Sequence, residues 1–486
     1  MLAQRGWQPA AVVEPTCGTG QFLQSALQAF PHIQRALGVE LQAKYAECAR
    51  QRLAEATCPT EVVQADFFST DWPAMFAALP GPILVIGNPP WVTNAGLGKL
   101  NSRNLPEKKN LHQWAGLAAT TGKSNFDLAE SICRTLLAAM QGQPGWLAML
   151  CKTSVARKIL LSQWHSCQAS PDNSNSLLHS EIYRIDAARH FGATVDACLL
   201  VCEMGESPSV QVPQCGVFDG LGEKLPAATW GLVERRVVCD LPKFARWQHL
   251  LHGPDVPWRW RSGVKHDAAS VLELRRTGTE VGSEFCNAAG WQGELEEEVV
   301  YPLGKSSDVA HHRFPTRRWL LLPQKFLAED PVELSISAPL AWQYLQLHAA
   351  MLDRRASRVY QHRPRFSVFG VGPYTFAPAK VAVSGFYRNL RFVPVGLQQG
   401  RPMLFDDTCY FLPCQTFAEA EFLASLLNAP PAQTFLRSQI FPDSKRPVTL
   451  ELLQSLNLSS LAVACQRGAE YEHWSALAIQ AGKGIN

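Results

Sequence analysis

Short apolar runs alternate with amphipathic stretches along the first part of the chain. The runs Ala11 to Val13, Ala36 to Val39, Glu61 to Gln64, Ile83 to Ile86, Trp146 to Leu150, Ile182 to Ile185 and Val195 to Val201 have the length and composition of strands. Between them, Gln21 to Ala29, Leu41 to Ala56 and Phe126 to Met140 fit helices. Strand and helix in alternation predict an α/β fold, a doubly wound sheet with helices on both faces. Gly205 to Gly231 breaks the pattern, being rich in Gly and Pro without a clear period. A first domain over 1–204, a linker over 205–238 and a second domain over 239–486 are therefore expected. In the second domain Val381 to Ser384 and Leu390 to Val395 flank a polar connection as paired strands would. Phe417 to Leu427, stopped by Pro430 and Pro431, and Leu450 to Cys465 look helical, so this domain is expected to be mixed α+β.

A chain of 486 residues exceeds one ordinary core, which agrees with two domains. Its 47% hydrophobic and 18% charged residues are ordinary for a globular protein. No apolar run approaches membrane-spanning length and Met1 to Ala11 has no signal-peptide pattern, so a cytoplasmic protein without a membrane partner is expected. The 14 cysteines are scattered, and the close pairs Cys198/Cys202 and Cys409/Cys414 lack a second pair at zinc-site spacing. Reduced thiols and no metal are the expectation.

The net charge of +3 does not by itself imply a nucleic-acid partner. Its distribution says more. Between His311 and Arg391 stand Arg313, Arg317, Arg318, Lys325, Arg354, Arg355, Arg358, Arg363, Arg365, Lys380, Arg388 and Arg391, against Glu329, Asp330, Glu333 and Asp353. Twelve bases less four acids leave an excess of eight, enough for a phosphate-tracking face if they cluster in space.

The candidate chemistry gathers where the predicted strands end. After the first comes Glu14-Pro15-Thr16-Cys17-Gly18-Thr19-Gly20, whose glycines let the backbone approach a ligand and whose following helix presents free N–H groups. The dinucleotide spacing is absent, and Glu14 would repel a pyrophosphate but welcome a positive group such as an α-amine or a sulfonium. Glu40 ends the second strand, where a carboxylate can accept from two ribose hydroxyls. Asp66 follows the third and could accept from an adenine amino group, with Phe67 packing on the ring. The fourth ends in Asn88-Pro89-Pro90-Trp91. There the prolines pre-aim backbone carbonyls, Asn88 adds a side-chain acceptor, and Trp91 offers a flat face to a planar base. Two acceptors converging on one exocyclic amine would hold its lone pair toward an electrophile.

The order of these elements resembles the amino-methyltransferases that use S-adenosylmethionine, and Asn-Pro-Pro-Trp is similar to the signature of their DNA adenine-N6 branch. The resemblance covers Val12 to about Val201 and implies a Rossmann-like methyltransferase sheet. It also implies Glu14, Thr16 and Gly18, in the turn with Pro15, Cys17 and Gly20, around the cofactor's methionine. Glu40 would then lie at its ribose, and Asp66 with Phe67 at its adenine. Asn88 and the Pro89 carbonyl would accept the target amine, with Pro90 stiffening the turn and Trp91 stacking on the base. The run His190-Phe191-Gly192-Ala193-Thr194-Val195 resembles the segment that covers the other face of a flipped base, which makes Phe191 the candidate there. Double-stranded DNA is the implied partner, with or without a separate restriction endonuclease subunit. Cys17 is expected to pack in the turn, since direct methyl transfer needs no covalent intermediate.

Only thirteen residues precede Glu14, fewer than the resemblance leads one to expect. A shortened chain, a lid supplied by a partner and impaired cofactor binding all remain open. The loop from Val92 to Asn125, with Gly96, Gly98, Lys99, Arg103, Lys108, Lys109 and Lys123, is expected to be a flap over substrate. Ser124-Asn125-Phe126-Asp127 reads as a helix start with no chemistry of its own. In the second domain, Trp258 to Asp267 interleaves aromatics and bases and resembles part of a specificity region, with Arg261, Lys265 and His266 as candidate DNA contacts. Tyr301 to Asp308, Phe366 to Gly372 and Phe441 to Pro447 resemble the same group more loosely. A methyltransferase acting on RNA or a protein glutamine, and a non-catalytic DNA-binding relic, are the alternatives.

Overall fold

A computed structural model of the chain describes residues 2–91, 127–169, 175–192, 195–206, 212–252, 257–277 and 283–482. They form two units, Met1–Pro242 and Lys243–Asn486. The expected flap of Val92 to Asn125 lies outside the described residues.

The first unit is organised on one sheet. In chain order its elements are β1 (Ala11–Glu14), α1 (Gln21–Ala29), β2 (Arg35–Glu40), α2 (Ala43–Arg52), β3 (Thr60–Gln64), α3 (Trp72–Ala77), β4 (Ile83–Gly87), α4 (Leu128–Ala139), β5 (Gly145–Lys152), α5 (Thr153–Ala169), β6 (Asn175–Ile185), α6 (Ala187–Phe191), β7 (Ala197–Glu206), β8 (Gln214–Phe218), β9 (Ala228–Val233) and β10 (Arg236–Val238). The strand order is β10-β9-β8-β6-β7-β5-β4-β1-β2-β3. Strands β1 to β5 run parallel, and β7 enters antiparallel between β5 and β6. Val12, Leu84 and Ala148 pack under α1 and α2, while the alternate residues Val13, Val85, Leu147 and Met149 are equally buried. At β1, β4 and β5 the sheet is therefore covered on both faces, which is why these strands read as unbroken apolar runs.

The chain goes from β1 outward to β2 and β3, then returns to place β4 on the other side of β1. Such a reversal opens a crevice at the carboxyl ends of β1 and β4, where ligands bind in open α/β sheets. The strand expectations for this sheet hold to within two residues except for β6, whose assignment begins at Asn175, and β7, which runs on to Glu206. The linker does not. Residues 214–238 are the strands β8, β9 and β10, which extend the same sheet, and the division into units falls after Pro242.

The second unit is mixed α and β. A six-stranded sheet has the order β14-β13-β12-β16-β15-β19, and a four-stranded sheet the order β11-β20-β17-β18. The strands are β11 (Arg261–Ser262), β12 (Glu273–Arg276), β13 (Glu284–Asn287), β14 (Gln292–Glu294), β15 (Val300–Gly304), β16 (Arg318–Leu321), β17 (Ala379–Ser384), β18 (Val393–Val395), β19 (Leu404–Phe405) and β20 (Cys409–Cys414). The expected pair of strands is β17 against β18, with Ala382 opposite Val393. Pro430 starts a further helix, Pro430–Arg437, as proline can at a first turn.

Three of the stretches likened to a specificity region, Trp258 to Asp267, Tyr301 to Asp308 and Phe441 to Pro447, meet residues 404–408, and the fourth, Phe366 to Gly372, pairs with the first. Val264 bridges Asp406, and Val264 N–H donates to Phe405 O at 2.7 Å. Lys265 bridges Phe369, and Ser306 Oγ donates to Thr408 O at 2.6 Å. Arg446 donates to Asp407 O at 3.1 Å. A side chain on Gly263 would overlap the Asp406 carbonyl, so the glycine is required by close backbone approach.

Candidate active site

The turn after β1 is built around two acids. Glu14 is 2% exposed, and its Oε2 accepts the Leu23 N–H at 3.1 Å from the first turn of α1. Burial, with Glu40 adding repulsion, pushes its carboxyl up to about 8. Glu40 ends β2 and braces the glycine turn, its Oε2 accepting the Gly18 N–H at 2.9 Å and its Oε1 the Gln42 N–H at 2.9 Å. Gly18 and Gly20 have φ of 51° and 76°, left-handed values that favour glycine. Cys17 is buried where Gly38 leaves room for its sulfur, and burial beside the two acids pushes its thiol up to about 12. A thiol so held is no nucleophile near neutrality, so packing is its role.

Asp66 Oδ1 accepts the Phe68 N–H at 3.1 Å. Phe67 is 6% exposed, its ring packed on Trp72 and Phe68 with centroids 5.0 Å away in each case, whereas Phe68 is half-buried. Most of the Phe67 ring is thus committed to the core, and Phe68 is the more open of the two.

The end of β4 adjoins the same crevice. A Cβ on Gly87 would lie 3.6 Å from Glu14 Cγ and 3.7 Å from Pro15 Cδ, so the first residue of the Asn88 turn leaves the sheet directly beside the β1 turn. Asn88 and Pro90 are exposed, Pro89 is buried and Trp91 half-buried. The Trp91 indole N–H donates to Leu150 O at 3.3 Å. Phe191 closes α6, is 51% exposed, and meets Trp91 edge to face with centroids 6.5 Å apart. Residues 88, 91 and 191, far apart in sequence, thus share one edge of the sheet. Lys152 and Asp127 also belong here, which their positions in the sequence did not signal. Lys152 Nζ lies 2.8 Å from Asp127 Oδ2 and 3.5 Å from Trp91 O.

The candidate DNA contacts of the second unit have internal partners. His266 is 6% exposed, accepts the Ala268 N–H at 3.3 Å and lies 3.4 Å from Glu273, so it belongs to the interior rather than a DNA surface. Lys265 pairs with Asp267 at 2.9 Å, and the Arg261 guanidinium lies 4.5 Å from the centre of the Tyr374 ring. Trp258 and Trp260 are core residues, leaving Arg259 as the exposed base between them. The arginine-rich interval thins in the same way. Lys380 is 1% exposed, its Nζ donating to Ala377 O at 2.8 Å, and burial pushes its ammonium down to about 7. Arg355 donates to Ser367 O at 2.7 Å, while Arg318 pairs with Asp308 and Arg365 with Asp353, each at 2.6 Å.

Two features of the β1 turn test its fit to a cationic nucleotide cofactor. Thr16 Oγ1 is buried without a partner among the described residues, and Glu14 is a buried carboxyl with no cationic side chain paired to it among them. A ligand that donates a hydrogen bond and brings positive charge would relieve both. The sheet order and the turns at its switch point are those of an open, Rossmann-like α/β sheet with a ligand crevice at its carboxyl edge. No family model matches the chain. Type II methyltransferase M.NspV of Nostoc sp. is 38% identical over 463 residues, covering 95% of this chain and 93% of that protein. Type II methyltransferase M.CvrRI of Paramecium bursaria Chlorella virus XZ-6E is 33% identical over 87 residues, 18% of this chain and 20% of that protein. Among solved structures, the Type IIL restriction-modification enzyme MmeI in complex with DNA aligns with a TM-score of 0.51 at 12% identity, covering 93% of this chain. This chain spans 61% of that longer one. The chain belongs to the type II methyltransferases, and S-adenosylmethionine is its cofactor.

Among the described residues no helix is long and apolar enough to cross a membrane, and no group of three or more His, Cys, Asp or Glu residues could hold a metal ion.

Proposed function

We propose that this methyltransferase modifies the N6 amine of an adenine swung out of double-stranded DNA, in the cytoplasm, as the modification partner of a separate restriction endonuclease. The observation that carries the reading is the exposed Asn88 directly after β4, whose last residue lies beside the buried Glu14, with the paired Trp91 and Phe191 rings at the same edge of the sheet. In this reading Glu14, Thr16 and Gly18 hold the cofactor's methionine, Glu40 its ribose, and Asp66 with the Phe67–Phe68 pair its adenine. The cofactor supplies an electrophilic methyl on sulfur. Asn88 Oδ1 and the Pro89 carbonyl would accept the two hydrogens of the target amine and hold its lone pair toward that methyl, so that the N–C bond forms as the sulfur–methyl bond breaks to leave a neutral thioether, and the surplus proton of the amine passes to solvent water. Trp91 and Phe191 stack on the base, Phe191 rotating from its edge-to-face position, and this helps offset the few kcal/mol that unstacking costs. The DNA contacts of the second unit are better sought among exposed bases with no acidic partner among the described residues, such as Arg313, Arg317, Arg358, Arg363, Arg388 and Arg391, than at His266.

Support comes from the type II relatives and from the Asn-Pro-Pro turn itself. Incubation with methyl-labelled cofactor and DNA, RNA or protein, followed by mass spectrometry of digested nucleosides, tests the reading. N6-methyladenine from duplex DNA is the expected product. Label found only in RNA or protein, or N4-methylcytosine as the product, would overturn it.

A further inference from the structure

We infer that Lys152, through its ion pair with Asp127, is a positioning residue that holds the Asn88–Trp91 turn in register for methyl transfer, an inference that rests on the reading of that turn given above. Strand β5 runs beside β4 with Gly87 opposite Met149, and it continues past the end of β4 for three residues, Leu150, Cys151 and Lys152. That overhang is held on its far edge by β7, with Leu150 opposite Leu199, Cys151 opposite Cys198 and Lys152 opposite Ala197. Just beyond it, the Thr153 N–H and hydroxyl both donate to Asp196 O, at 2.9 and 3.2 Å. The near edge is left for the turn, and Trp91 lies along it.

Two contacts fix Trp91 to the overhang. Its indole N–H donates to Leu150 O at 3.3 Å, and its own carbonyl accepts from Lys152 Nζ at 3.5 Å. The second is long for a hydrogen bond, so it is the anchoring of the ammonium elsewhere that gives it direction. That anchor is Asp127, 2.8 Å away. Asp127 is itself fixed, being 4% exposed, with its Oδ1 capping α4 through the Ala129 N–H at 3.1 Å. The Lys152 side chain is 25% exposed, so solvent screens the pair less than it would on an open surface.

The turn needs such a stay at its end. Gly87 fixes its start within the sheet, and Pro89 and Pro90 fix two φ angles, which leaves the torsions of Asn88, the ψ angles of the two prolines and the placement of Trp91 to set where the Asn88 amide points. Lys152 constrains the Trp91 end. Neither Lys152 nor Asp127 need touch the amine, because a displacement of about 1 Å in a reacting group costs roughly 100-fold in rate.

Full-length Lys152→Met and Asp127→Asn test this, the latter keeping an oxygen that can cap α4. Lys152→Met should lower the single-turnover rate of methyl transfer to DNA by about 10- to 100-fold. Cofactor affinity, measured by calorimetry, should stay within about threefold of the wild type, the effect lying in geometry rather than in binding. Lys152→Arg should recover most of the rate. The Lys152→Met/Asp127→Asn double variant should be no slower than the slower single variant, since both break one interaction. Deuterium exchange at the amides of Asn88 and Trp91 should quicken in Lys152→Met, and this readout needs no turnover. An unchanged rate, additive effects, or a loss of rate matched by equal losses of cofactor affinity and Tm without rescue by Arg would overturn the inference. If the wild type fails to methylate DNA, it is the proposed function that fails, and unchanged exchange at Asn88 and Trp91 would still overturn the positioning role.

Discussion

Glu14 carries the most consequential electrostatics of any single residue in the catalytic unit. Its carboxyl lies at about 8 in the folded chain, against 4.5 for an unperturbed glutamate, because burial disfavours the charged form. Between those values the folded chain holds a proton that the unfolded chain has released, so this residue makes the free protein less stable as pH rises from about 4.5 to about 8. A cofactor that brings positive charge reverses the preference. Binding near neutrality should expel the Glu14 proton, and affinity should climb with pH, by at most about tenfold per unit, then level off above about 8. Calorimetry at pH 7 in buffers of different ionisation enthalpy should show proton release approaching one per site, lost in Glu14→Gln. A flat pH profile with no proton release would remove Glu14 from the cation's site. Asn88→Ala should behave in the opposite sense, keeping cofactor affinity while abolishing methyl transfer. Normal turnover by that variant would remove the amide from the reaction.

At the scale of elements, the sheet was legible because burial on both faces leaves its central strands β1, β4 and β5 as plain apolar runs, and because the candidate chemistry lies at strand ends that Gly and Pro punctuate. The misreading of residues 205–238 has a matching cause. Strands β8 and β9 carry internal glycines, Gly216 and Gly231, and a Gly- and Pro-containing loop joins them, so composition reported a linker where pairing builds the sheet's edge. The Lys152–Asp127 pair was silent because its partners stand 25 residues apart on separate elements. Arg261 and His266 were expected as DNA contacts, and their internal partners went unseen, because an arginine on a tyrosine ring, or a histidine beside a buried glutamate, has the same letters as one in solvent. The element that organises the second unit is the backbone crossing of Gly263 with Asp406. Gly263→Ala should therefore cost roughly 3 kcal/mol through overpacking against main chain that cannot yield as a side chain would. Denaturant melts of the full chain should show that loss in the transition of the second unit, while calorimetric binding of the cofactor persists. An unshifted transition would show that the crossing is pliable.

At the scale of the whole chain, a net charge of +3 understates how its bases are deployed, because many of them are consumed by internal pairing. Of the twelve bases between residues 311 and 391, Lys380 and Arg355 serve the interior and Arg318 and Arg365 are paired to acids. Arg313, Arg317, Lys325, Arg354, Arg358, Arg363, Arg388 and Arg391 are exposed. If half of these meet phosphates, four counterion releases of about 0.9 each give a slope of roughly −3.6 in log affinity against log salt. In the proposed reading the cofactor is held by Glu14 and Thr16 at a buried turn and by Glu40 and Asp66 beside it, with no phosphate to release counterions, and should show little such dependence. A salt series should therefore raise the KM for DNA steeply while leaving the Kd of the cofactor nearly flat. Replacing Arg388 and Arg391 by alanine should lower the slope by about 2 units if both meet phosphates, without altering transfer at saturating DNA. A slope near zero for the wild type would mean that these arginines face solvent alone and that the recognition surface lies elsewhere in the chain.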